Sequence, residues 1–111
     1  MQLYRREDVP DEGVSHNPEI RKRVMVRNGS VPALTNFSQS VFAPGQTTTA
    51  HTHADMHEVY LIESGRCALT IDGEELELGA GDCIVVEPGE EHSMGNPGDD
   101  DLRLTYFGIA P

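Results

Sequence analysis

No part of this chain runs far without a turn. Eleven glycines and seven prolines interrupt it. Between them lie short runs rich in Val, Ile, Leu, Thr, Tyr and Phe: "RVMV", "TNFSQSVF", "EVYLI", "CALTI", "DCIVV" and "LRLTYFGI". Runs of that length and composition are strands. The separators have turn chemistry: Pro44-Gly45, Ser64-Gly65, Asp72-Gly73, Gly79-Ala80-Gly81, Pro88-Gly89 and Asn96-Pro97-Gly98. No segment shows a convincing amphipathic helical period, so helix is confined to a short turn near residues 4–8 or 17–22. Many short strands with frequent turns predict an all-β sandwich or barrel. Residues 1–19 are polar and carry two prolines. They are expected to form an N-terminal arm that packs along the barrel or onto a partner subunit, leaving 20–111 as a single barrel domain.

The chain has 111 residues and a formal net charge of −11, a size that suits one domain with a modest core. The excess of acid repels phosphate backbones and anionic lipid, so neither nucleic acid nor membrane is an expected partner. Asp99-Asp100-Asp101 reads as a solvated turn. Two cysteines, Cys67 and Cys83, make no disulfide framework. The opening "MQLYRREDVPDEG" lacks the apolar centre of a signal peptide. No apolar run reaches membrane-spanning length. A cytoplasmic, reducing setting is the expectation.

Residues 51–60, "HTHADMHEVY", hold three of the five histidines, followed directly by a glutamate. Alternate residues of a strand share a face, so His51 and His53 point the same way, close enough to share one ion. Further ligands must come from beyond: His57 and Glu58 are nearest, and His92 follows the turn "PGEE". Imidazoles with a carboxylate suit one divalent transition metal, Fe(II), Mn(II), Ni(II) or Zn(II).

The segment from Gly45 to Gly65, "GQTTTAHTHADMHEVYLIESG", resembles the first motif of the cupin superfamily at every specified position: Gly, five residues, His-x-His, four residues, Glu, six residues, Gly. The segment from Gly81 to Asn96, "GDCIVVEPGEEHSMGN", resembles the second, departing only where Glu87 replaces an expected Pro. The resemblance implies a small conserved barrel of the jelly-roll type, similar to RmlC-like cupins. It also implies a metal held by His51, His53, Glu58 and His92. Position 87 ends a strand, so the missing Pro is expected to alter a turn and leave the site intact.

Strand parity addresses whether His57 or Glu58 is the ligand. If Ser64-Gly65 closes a two-residue hairpin, Glu58, Tyr60, Ile62, Cys67, Leu69 and Ile71 share one face. That face is apolar apart from one carboxylate, as a barrel interior with one ligand should be, and a carboxylate buried there needs a cation or hydrogen bonds. His57 then faces outward. The alternative is a β-bulge at 57–58 that turns His57 inward, giving the four-His set of some similar small cupins, with Glu58 as a base behind it.

Met94, two residues after His92, is expected to line the chamber with Tyr60, Ile62 and Cys67, and Tyr106 or Phe107 to close it. Met56 belongs near the mouth. Tyr60 is the candidate proton or hydrogen-bond donor. Arg103 is expected in solvent, His16 on the surface of the arm, and Glu87, Glu90 and Glu91 in a solvated turn where they can orient His92. The resemblance implies a metal-dependent enzyme acting on a small polar metabolite. Dioxygenase chemistry leads, with isomerase or decarboxylase-type Lewis-acid chemistry beside it. The alternative is a non-catalytic small-molecule-binding or sensor module; a metal-free sugar epimerase would not need the complete ligand set. The resemblance, the small core and the arm together point to a homodimer.

Overall fold

The computed structural model describes all residues 1–111. After a 3₁₀ turn at Arg6–Asp8 come nine strands: β1 Asp11–Val14, β2 Asn17–Arg27, β3 Leu34–Phe42, β4 His57–Ser64, β5 Arg66–Ile71, β6 Glu74–Gly79, β7 Cys83–Val86, β8 His92–Gly95 and β9 Leu102–Ile109. They form two sheets, a six-stranded one in the order β1-β2-β3-β9-β4-β7 and a three-stranded one in the order β6-β5-β8. Every pairing is antiparallel, and the two sheets make a jelly-roll barrel. No helix is long and apolar enough to cross a membrane.

Alternation builds the core. Along β4, Glu58, Tyr60 and Ile62 are buried and His57, Leu61 and Glu63 exposed; along β9, Leu102 and Leu104 are buried while Arg103 is exposed. These inward residues meet Ile20 of β2, Phe42 of β3, Cys67 and Leu69 of β5, Val86 of β7 and Met94 of β8 in one apolar cluster. The outward face of the larger sheet carries a second apolar row. Phe37, Phe107, Val59 and Val85 are successive register partners across β3, β9, β4 and β7. The two Phe rings stack with centroids 6.2 Å apart, and Val85 stays exposed.

Two expectations are corrected. The first is the Ser64-Gly65 hairpin. β4 pairs with β9 and β7, and β5 pairs with β6 and β8, so the chain changes sheets at this point. Gly65 makes the crossing at φ +87, and a Cβ there would lie 2.5 Å from the Asp101 carbonyl oxygen, so both its conformation and its space demand glycine. The inferred face survives because the inner sides of both sheets address the same interior: Glu58, Tyr60 and Ile62 are buried from one sheet, Cys67 and Leu69 from the other. A true two-residue hairpin does occur at Asp72-Gly73, where Ile71 pairs with Glu74 and both turn residues have positive φ, 47 and 81.

The second correction concerns the arm. The expected boundary at residue 19/20 falls inside β2, and β1 pairs in register with β2, with Asp11 opposite Arg23 and Glu12 opposite Lys22. Ion pairs Arg21–Asp11 at 3.0 Å and Arg27–Glu12 at 2.8 Å bind the polar hairpin together. Its polarity reflects a sheet edge in water, where cross-strand charge pairs replace apolar contacts. The expected helical turn appears at 6–8, whereas 17–22 is strand.

Candidate metal centre

His51 and His53 lie on the extended segment before β4, Glu58 is the second residue of β4, and His92 opens β8. The backbone brings them together. His51 and His92 exchange N–H to carbonyl bonds of 3.0 and 2.9 Å, and the Gly89 N–H donates to the His53 carbonyl at 2.8 Å. The Pro88-Gly89 turn of the second motif thereby pins the first. One nitrogen or oxygen from each of the four side chains lies within 4.8 Å of the others.

Two carbonyls orient the rings. Nδ1 of His51 is 3.0 Å from the Thr49 carbonyl oxygen, and Nδ1 of His92 is 3.0 Å from that of Glu90. A carbonyl only accepts, so each Nδ1 carries the proton and each Nε2 faces the centre. The Glu90 backbone, and none of the three nearby Glu side chains, orients His92. Glu58 Oε1 lies 2.9 Å from His53 Nε2 and 3.2 Å from His92 Nε2. Burial pushes the Glu58 carboxyl up, but hydrogen bonds from His92 and Tyr60 and the neighbouring imidazoles outweigh it and hold the group below its ordinary value. His92 is the counterpart: burial lowers it, and the bonds to Glu58 and the Glu90 carbonyl more than reverse that, leaving it raised. Burial keeps His51 low and neutral. A cluster of three imidazoles around one buried carboxylate, with no Lys or Arg in salt-bridge contact with it, is a donor set suited to a divalent transition metal.

His57 is exposed on the outer side of β4, and the β4 register runs without a shift from His57 to Ile62. No bulge turns it inward. Glu58 is opposite Gly108, where a Cβ would lie 2.7 Å from Met56 Sδ and collide with Thr35 Oγ1, so the missing side chain leaves room for both beside the cluster.

The cluster forms one side of a chamber of about 320 Å³. Tyr60, Met94, Met56 and Tyr106 line it, as does His53. Tyr60 lies beside Glu58, stacks on Tyr106 with ring centroids 5.2 Å apart, and has its hydroxyl pushed well above the ordinary value by burial and the carboxylate. Phe107 takes the opposite face. Ile62 and Cys67, expected in the lining, are instead completely buried in the core behind it, and burial pushes the Cys67 thiol up to about 12. Both point inward, but they sit farther along the barrel, where the two sheets have closed onto each other. Arg103 is solvated, 3.8 Å from Asp101. Asn96, last residue of the second motif, is a structural residue: its amide donates to the Phe42 and Asp100 carbonyls at 2.9 and 2.8 Å.

Sequence reasoning missed one side of the chamber. His16, in the β1–β2 turn, stacks on His51 with centroids 3.6 Å apart and planes 10° apart. The His16 carbonyl accepts from the Thr49 N–H at 3.2 Å and Asn17 donates to the Thr47 carbonyl at 2.9 Å, stitching the hairpin to the segment that leads into His51. Glu12, Lys22 and Arg27 line the chamber from the same hairpin.

A family model described as the cupin domain matches residues 39–108. The chain belongs to the cupin family. It is 32% identical over 100 residues to a tetracenomycin polyketide synthase protein of Streptomyces glaucescens, covering 87% of this chain and 65% of the relative. It is 32% identical over 68 residues to an oxalate-binding protein of Thermotoga maritima, covering 61% of this chain and 56% of the relative. The chain thus spans less than two thirds of the length of these curated relatives. A solved structure of a predicted oxalate decarboxylase from Thermotoga maritima superposes with a TM-score of 0.89 over 99% of this chain and 100% of that one, at 23% identity. That likeness shows the barrel.

Proposed function

We propose that this cupin is a mononuclear metal-dependent enzyme acting on a small polar metabolite. The observation that carries the reading is the convergence of His51, His53, Glu58 and His92 within 4.8 Å at the wall of the chamber. When bound by these four, Fe(II) supplies oxygen-activating chemistry, and Mn(II), Ni(II) or Zn(II) supplies Lewis-acid polarisation of a carbonyl or carboxylate. Held by His51, His53, Glu58 and His92, the ion would keep room for a substrate, and dioxygenation is the leading reaction. The chain's own residues do the rest. The Thr49 and Glu90 carbonyls hold the imidazoles in the ligating tautomer, and the Tyr60 hydroxyl favours the ionised form of Glu58. Val24, Phe42, Leu104 and Met94 keep part of the wall apolar and limit water. The volume is at the small end for ligand sites, which fits a metabolite of modest size. Two unpaired cysteines, one of them exposed, fit a reducing cytoplasm.

Elemental analysis of protein purified without a chelating tag tests the metal, with about one ion per chain expected. Oxygen consumption by the Fe(II)-loaded protein across diols, enols and keto acids tests the reaction. A second reading, a non-catalytic binding module, is favoured by the likeness to an oxalate-binding protein; stoichiometric metal with no turnover of any substrate would select it. The same proposal includes a homodimer, packed through the outward Phe37–Phe107–Val59–Val85 row, whose ends Phe37 and Val85 are exposed, and a monomer by light scattering at micromolar concentration removes that part.

A further inference from the structure

Lys22 is the only lysine in the chain. Strand alternation puts it on the inward face of β2, between Ile20 and Val24, which are 0% and 7% exposed. It is partly buried and lines the same chamber as the histidine cluster. It makes no salt bridge. Its register partner on one side is Glu12, whose carboxylate is engaged by Arg27 at 2.8 Å. Its partner on the other side is Ser40, buried, with its hydroxyl 3.5 Å from that of Tyr106. A cation turned toward an apolar interior is costly unless an anion meets it. Here the one nearby acid is already shared with a second cation. The charged groups of the chamber wall are Glu12, Lys22, Arg27 and Glu58. Their charges cancel, so a divalent ion at the cluster would leave the chamber positive inside a protein of net charge −11.

We propose that Lys22 is the specificity-determining residue of this chamber and takes the carboxylate of a small carboxylic acid, with Ser40 and Tyr106 as the neighbouring hydroxyl donors. This rests on the reading of the chamber as a substrate site and adds the substrate class to it. Arg27 engages the Glu12 carboxylate at 2.8 Å, and Lys22 is left with no salt bridge of its own to compete with an incoming anion.

Calorimetry with malonate, oxalate and succinate, and with uncharged malonamide, tests this on Zn(II)-loaded wild type, Lys22→Met and Lys22→Arg. At least one dicarboxylate binds the wild type, Lys22→Met weakens it roughly tenfold to a hundredfold, the scale of a lost charge-assisted hydrogen bond, and Lys22→Arg recovers part of the loss. Malonamide binds weakly and is indifferent to the substitution. Zinc content is the same in all three proteins, because Lys22 is no ligand. Lys22→Met leaves Tm unchanged or raises it, as removal of an unpartnered inward cation should. Equal dicarboxylate affinity in wild type and Lys22→Met overturns the proposal, as does failure of all three dicarboxylates to bind wild type. If wild type holds no zinc, the metal reading fails by itself; the same titrations on metal-free protein then decide the role of Lys22 by the same comparison.

Discussion

The chamber has two ends of different origin. The end proposed to hold the metal, the metal end, is drawn from residues 51–92, where motif spacing sets the candidate donors and backbone bonds pin the histidine segments: His51 to His92, His53 to Gly89. The hairpin end is drawn from β1 and β2, where Glu12, His16, Lys22 and Arg27 are placed by register and by the stitching of the turn to residues 47–49. The first end has donors converging on a point, so few geometries satisfy it and their spacing recurs. The second end needs only a surface of suitable charge and shape, which many sequences can build. The contrast predicts that substitutions at the metal end abolish a function, and that those at the hairpin end grade it.

The sharpest break comes from the donors. Glu58→Ala and His92→Ala should each weaken metal binding by more than the roughly 10–100-fold that loss of an outer-shell partner costs, read by competition against a coloured chelator. Glu58→Ala also strands the imidazoles that its carboxylate now joins at 2.9 and 3.2 Å. Retention of full affinity by either variant would remove the distinction between the two ends.

Next in size is the joint that carries the metal end from one sheet to the other. Gly65→Ala puts a methyl 2.5 Å from one backbone atom and 2.9 Å from another at φ +87. Backbone has no rotamer with which to yield, so a loss of about 2–4 kcal/mol is expected from left-handed strain and overpacking together. A thermal melt should show Tm lower by about 10 °C or more. Gly73 has a similar φ, +81, but open space around it, so Gly73→Ala should cost less; equal losses would show that strain alone, without the crowding, governs Gly65.

At the metal end, protons should act through His92. His92 is raised above its ordinary 6.5 in the metal-free protein, burial opposing and the Glu58 bond prevailing. Its Nε2 must be free of a proton to bind metal, so affinity should fall as pH drops from above 6.5 through that value, with protons released on binding. The metal-free protein shows the reverse sign for this group. Stability from the His92–Glu58 bond is fully present below 6.5 and is lost as pH rises through the raised folded value. Titrations of metal affinity and of apo-protein melting against pH should therefore slope in opposite directions where His92 dominates. Parallel slopes would place the controlling group elsewhere.

The difference between the two ends also explains what could be read beforehand. The grouping of His51, His53, Glu58 and His92 and the inward side of β4 were legible because motif spacing and strand parity each constrain residues a few positions apart. The sheet crossing at Gly65 was not, since a Ser-Gly pair serves a hairpin and a crossing alike and only the distant Asp101 backbone tells them apart. Ile62 and Cys67 have the right parity for the lining, but depth along the barrel depends on how closely the sheets approach, which alternation does not encode. His16 carried no local signal, because its contact with His51 is made by docking across 35 positions. Lys22 did carry one: a lone lysine alternating with Ile20 and Val24 announces an inward charge, hidden among the arginines of a stretch, 17–22, that read as a candidate helical turn. His16→Ala, which removes a stacked neighbour worth about 0.5–1.5 kcal/mol and no donor, should lower metal affinity only severalfold; a loss as large as that of His92→Ala would make His16 part of the metal end.

The smallest effect should come from the residue most easily mistaken for a ligand. His57 adjoins Glu58 in the same histidine-rich stretch, yet it is exposed on the outer face of β4, opposite Ile109, and the unbroken register leaves no bulge to turn it. His57→Ala removes a solvated imidazole without opening a cavity or orphaning a partner, so Tm should move by no more than surface substitutions do, within about 0.5 kcal/mol. Metal affinity should stay within twofold of wild type. The decisive measurement is the pair: His57→Ala beside His53→Ala, two histidines four positions apart. If His53→Ala loses the metal and His57→Ala keeps it, strand face decides which histidine belongs to the metal end. If both lose it, β4 must be able to shift its register by one residue, and Glu58 would then share its place at the centre with His57.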